Sequence, residues 1–140
     1  MAREGKKYKV LVVDDERVIL KLIKDFLEAF QYEVKTCDNP KSAYDLIENE
    51  PFDVVISDVE MPEMNGLELL RKIKNHNGLI PVIIITGYTT INNIMNAFRY
   101  GAYNLFFKPL RMAELKEAVD SSITQLERIK LLLDEVAANR

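Results

Sequence analysis

Asp14, Asp15 and Glu16 stand in a row directly after the apolar run YKVLVV, and Asp58 closely follows a second run, DVVIS. A third run, PVIIIT, ends on Thr86, and YNLFF is followed at once by Lys108-Pro109. An acid at the end of a buried strand is costly unless something binds it. Clustered carboxylates also repel one another and raise each other's pKa. A divalent cation removes both problems. Mg2+ takes hard oxygen ligands, keeps several waters and uses only one or two carboxylates plus phosphate oxygens. Asp15 and Asp58 are the direct candidates, with Asp14 acting through water and the backbone carbonyl of Glu60 completing the protein ligands. Lys108 cannot bind a metal; its ammonium suits an anion arriving beside Asp58, and the Thr86 hydroxyl offers that anion a donor. A metal and an ammonium around a carboxylate acceptor describe a site for phosphoryl transfer.

These residues work together only if their strands end on one edge of one sheet. Short β-branched runs at 8–13, 33–37, 53–57, 81–86 and 103–107 read as strands, the first apolar enough to be buried on both faces and the one at 33–37 weaker. Helical patterns fill the gaps. Ile19, Leu22, Ile23, Phe26, Leu27 and Phe30 recur at helical spacing. Asn39-Pro40 reads as an N-cap with proline at the first helical position, and Asn65 and Glu68 are spaced like a capping box. Ile91, Ile94, Met95 and Phe98 are expected to face inward from a helix that stops near Gly101, and a last helix begins at about Met112. Strand–helix alternation implies right-handed crossovers. The fold class is therefore α/β: a five-stranded parallel sheet with helices on both faces, doubly wound, with an extended C-terminal helix. Ligands bind such sheets beyond the carboxyl ends of the strands.

The chain of 140 residues is long enough for one domain with a core, and its net charge of -3 does not favour nucleic acid or an anionic membrane as a direct partner. Cys37 is the only cysteine, so no disulfide framework forms within the chain. No apolar run approaches the ~20 residues that span a bilayer, and MAREGKKYK lacks the apolar segment of a signal peptide, so a cytoplasmic location is expected. The expected division is an N-terminal extension at 1–6, a domain at 7–125 and a helical extension at 126–140.

Together, VVDDE, ISDVEMPEMNG, IIITG and FFKPL resemble, in order and spacing, the receiver domains of two-component response regulators. The resemblance covers about residues 7 to 125. It implies that Asp58 accepts a phosphoryl group from the phosphohistidine of a sensor histidine kinase. It also implies that Asp14 and Asp15 form an acidic Mg2+ pocket, that Thr86 and Lys108 contact the phosphoryl group, and that the Lys108–Pro109 bond is cis. Family members usually carry Tyr or Phe three residues before the lysine, where this chain has Leu105, so a different readout of Thr86 movement is expected. Glu60 and Tyr88 are expected at the entrance to the phosphate.

Leu115, Val119, Ser122, Leu126, Ile129, Leu133 and Val136 alternate spacings of four and three, a heptad seam. Its end is expected to form a parallel dimer or to lead into an output domain. Two other functions fit less well. An aspartyl-phosphate phosphatase would carry D-x-D-x-T/V after the first strand, whereas here the acids are adjacent and the acceptor lies on the third strand. A degenerate receiver serving only for docking does not need the full acid set. A nucleotide site is disfavoured because no strand is followed by a glycine-rich phosphate loop. His76 is expected to be exposed and inert.

Overall fold

The structure, a computed structural model, describes residues 5–61 and 64–139. The first four residues of the expected N-terminal extension, Pro62 and Glu63 of the ISDVEMPEMNG motif, and Arg140 of the expected helical extension lie outside the described residues. Five strands alternate with five helices: β1 (Lys9–Val13), α1 (Arg17–Glu28), β2 (Glu33–Cys37), α2 (Pro40–Asn49), β3 (Val54–Asp58), α3 (Gly66–His76), β4 (Val82–Thr86), α4 (Ile91–Arg99), β5 (Asn104–Phe107) and α5 (Met112–Ala138). All neighbouring strands pair in parallel, in the order β2-β1-β3-β4-β5.

Because successive side chains of a strand point to opposite faces, each apolar run feeds two cores. Val10, Val12, Ile56, Ile83 and Ile85 pack with Leu20, Ile23 and Leu27 of α1 and Leu115, Val119 and Ile123 of α5. Leu11, Val13, Val55 and Ile84 pack on the other face with Ala43 and Ile47 of α2, Leu70 and Ile73 of α3, and Ala97 of α4. This explains why β1, β3 and β4 read as continuous apolar runs rather than alternating ones.

The helix starts follow from local chemistry. The Asn39 side chain accepts from the Ser42 N–H at 2.8 Å with Pro40 opening α2, and Asn65 accepts from the Glu68 N–H at 3.0 Å to open α3. α4 ends where Gly101 takes φ +102, a conformation only glycine adopts without strain.

One expectation about burial needs correction. Ile91 is 77% exposed, and Met95 and Phe98 are also exposed, so α4 buries Ala97 with Ile94 only half-buried. Leu22 and Phe30 of the first helical pattern are exposed too. Phe30 lies past the end of α1, its ring 5.2 Å from that of Phe26 and under the Lys116 ammonium. Helical spacing marks an apolar face but not whether another element covers it. His76 is exposed as expected, its ring edge-on to Tyr44.

Candidate functional site

The chain steps from β1 to β2 on one side and then crosses back past β1 to β3 on the other, so the order of strands reverses at the β1–β3 pair. Val13 pairs with Ser57 there, which sets Asp14 and Asp58, the next residues along, side by side at the crevice where such sheets bind ligands. Asp58 pairs with Ile85, and Thr86 with Phe107, so Thr86 and Lys108 follow on the same edge.

Asp14 is fully buried; its Oδ1 accepts from the Glu16 N–H at 2.8 Å, and its Oδ2 lies 2.8 Å from the Lys108 ammonium. Asp58 is 3% exposed; its Oδ1 accepts from the Glu60 N–H at 3.1 Å, and its Oδ2 lies 3.4 Å from Lys108. Lys108 also reaches Glu16 at 2.7 Å. Its peptide bond to Pro109 is cis, and its own N–H donates to the Thr86 carbonyl at 2.8 Å. Asp15 is exposed at the rim. Thr86 is buried, and its hydroxyl donates to the Tyr88 carbonyl at 2.8 Å. Glu60 and Tyr88 are both exposed.

The electrostatics follow from this crowding. Burial, then the neighbouring Asp14 carboxylate, pushes Asp58 up to about 6, against the opposing pull of the Glu60 N–H and Lys108. Burial also raises Asp14, with Lys108 and the Glu16 N–H pulling the other way. Burial works against the Lys108 ammonium, yet hydrogen bonds to Asp14 and Glu16, with the charges of Asp14 and Asp58, together push its pKa up.

Asp14, Asp15, Glu16 and Asp58 can bring one oxygen each within 4.8 Å of one another. A set made only of carboxylate oxygens fits a hard cation such as Mg2+ rather than a softer metal. The loop after Asp58 is held close by Gly66: a Cβ there would stand 2.2 Å from the Asp58 carbonyl oxygen and 2.6 Å from the Val59 Cα, and the Gly66 N–H donates to the Val59 carbonyl at 2.7 Å. Charge and geometry mark this site rather than cavity volume. A groove of about 590 Å3 lies elsewhere, lined by Arg17, Lys24, Cys37 and Ser42 among others, and holds none of the four acids.

All the acids and the lysine singled out in the sequence meet at this edge. Thr86 arrives there with its hydroxyl turned to its own loop. Two contacts go beyond the sequence reading. Glu16 belongs to the acidic run, but its grip on Lys108 spans 92 residues and has no local signature. Glu60 donates its backbone N–H to Asp58.

Residues 10–120 match the family model for the response regulator receiver domain. The chain belongs to this receiver family. Among curated proteins it is 38% identical over 113 residues to the transcriptional regulatory protein CrdR of Helicobacter pylori, a match covering 79% of this chain and 53% of CrdR. It is 31% identical over 119 residues to the transcriptional regulatory protein ZraR of Klebsiella oxytoca, covering 85% of this chain and 27% of ZraR. The receiver thus spans about a quarter to a half of these relatives. Among solved structures, it resembles the CheY-like receiver domain protein from Methanospirillum hungatei JF-1 with a TM-score of 0.86 at 30% identity, over 88% of this chain and 98% of that one. The beryllofluoride-activated NtrC4 receiver domain dimer matches with a TM-score of 0.80 at 29% identity, over 84% of this chain and 98% of that one. Receiver domains are signalling domains, and the acid pocket of this one is of the kind that binds Mg2+. Among the described residues, no helix is long and apolar enough to cross a membrane.

Proposed function

We propose that this receiver is a cytoplasmic phosphorylation switch whose acceptor is Asp58 and whose donor is the phosphohistidine of a sensor histidine kinase. The observation that carries the reading is Lys108, its side chain only 14% exposed, with its ammonium set between two buried carboxylates at the strand-order reversal. An Asp58 oxygen attacks phosphorus, the P–N bond to the donor imidazole breaks with its electron pair leaving on nitrogen, and an acyl phosphate forms. Mg2+ held by Asp14, Asp15, Asp58 and the Glu60 carbonyl would neutralise the equatorial oxygens during transfer. Lys108 meets the same charge from the β5 side, and the Glu60 N–H steadies the acceptor carboxylate. This is self-modification of the chain and not turnover of a substrate pool.

Phosphate changes the partner of Thr86. To donate to a phosphoryl oxygen, its hydroxyl must leave the Tyr88 carbonyl, and that frees the loop from Gly87 to Thr90. Leu105 is half-buried against the face shared with α2 and α3, and its side chain has no hydrogen bond to offer. The readout therefore lies in the loop and the exposed side chains beside it, Tyr88 and Ile91. The signal passes to an output domain or a downstream protein, and the extension 126–140 acts as linker or dimer helix. Adding beryllofluoride and Mg2+ to the chain should shift the backbone NMR resonances of Gly87 to Thr90 in the parent and leave them in place in the Asp58→Asn variant. Identical loop resonances with and without the mimic would refute the switch.

A further inference from the structure

Lys108 is held by three carboxylates, and the acceptor has the longest of the three contacts. Its Nζ lies 2.7 Å from Glu16, 2.8 Å from Asp14 and 3.4 Å from Asp58. The hydrogen bonds of this ammonium go to Glu16 and Asp58, so an anion added to Asp58 comes to the same few donors that Glu16 now holds. Asp14 is fully buried, whereas the Glu16 side chain is 60% exposed at the mouth of the site. Glu16 caps α1 through its backbone alone, with no side-chain cap bond, so its carboxylate is left to reach across to β5. That carboxylate can also come within 4.8 Å of the Asp58 oxygens. An added phosphoryl group would therefore meet it both as a like charge and as a rival for the same cation.

We propose that Glu16 is a positioning residue that competes with the incoming phosphoryl group for the Lys108 ammonium and so slows phosphorylation of Asp58. The inference rests on the acceptor reading above. It gives Glu16 a role separate from metal binding, although its oxygen lies among the four that surround the cation site.

The test uses the full chain, acetyl phosphate as donor and intact mass to follow the labelling rate across a Mg2+ titration. Glu16→Gln removes the charge; Glu16→Asp keeps it but shortens the side chain by one methylene, out of reach of Lys108. Both variants should label about two- to fivefold faster than the parent at saturating Mg2+, the range that an ion pair of this exposure supports. The half-saturating Mg2+ concentration of Glu16→Asp should stay at the parent's value. Faster labelling in Glu16→Gln alone would mean charge without contact and would overturn the proposal. So would slower or unchanged labelling in both, or a half-saturating Mg2+ concentration that rises as it does in Asp15→Asn, which would make Glu16 a ligand. Labelling that survives Asp58→Asn would overturn the acceptor reading and this inference with it. Unchanged Glu16 variants with Asp58-dependent labelling would overturn this inference alone.

Discussion

With the residue only 3% exposed and a second buried carboxylate beside it, Asp58 keeps its proton up to about pH 6. In the unfolded chain it loses that proton near 3.8. A folded pKa above the unfolded one means that the protonated form favours the fold. The contribution is whole below pH 3.8 and is lost as pH rises through about 6. The loss is on the order of 3 kcal/mol in the absence of metal. Thermal melts of the Asp58→Asn variant should therefore match the parent near pH 4 and exceed it at pH 7.5. Mg2+ at about a hundred times its dissociation constant should then stabilise the parent at pH 7.5 by about 2.7 kcal/mol. The Asp58→Asn and Asp15→Asn variants should show little of that gain. Parallel melting curves for parent and Asp58→Asn across this pH range would contradict the burial account of the acceptor.

At the scale of elements, the strands are legible because parallel strands covered on both faces must be apolar throughout, as Val82 to Ile85 are. The polar residue ending each run then marks the site edge. The helix starts are equally local, since Asn39 and Asn65 bond within three residues of themselves. α4 is not legible in the same way. Its Ile91, Met95 and Phe98 have core-like spacing, but their burial depends on whether a neighbour covers them, and that is set by tertiary packing. The Lys108–Glu16 contact is hidden for the same reason. Stability measurements separate the two kinds of apolar residue. Ile84→Ala should cost about 2–5 kcal/mol in denaturant unfolding. Ile91→Ser should change stability by no more than about 0.5 kcal/mol. A large loss for Ile91→Ser would contradict the exposed face of α4. Gly66→Ala should push the loop away from Asp58, because its Cβ would overlap the Asp58 carbonyl oxygen. Reduced labelling with acetyl phosphate is its expected sign.

Across the whole molecule, the sheet, four helices and the first part of α5 make a closed body, and the end of α5 runs beyond it. Leu115 and Val119 of the heptad seam pack on the sheet, Ser122 and Leu126 are buried, Ile129 is half-buried, and Leu133 (53%) and Val136 are exposed. The seam thus continues in register from the core into solvent, with Leu131 and Leu132 exposed alongside. A single helix end with this pattern is marginal without a partner. Light scattering should show the mass rising toward two chains with concentration, and Leu133→Lys with Val136→Lys should keep the chain monomeric. A concentration-independent monomer would contradict pairing through α5. The central claim concerns the other end of the sheet, where the strands present Asp14, Asp58 and Lys108 together. Intact mass after treatment with acetyl phosphate and Mg2+ tests it most directly. The parent should gain one phosphoryl group and the Asp58→Asn variant none; equal labelling of the two would contradict the account.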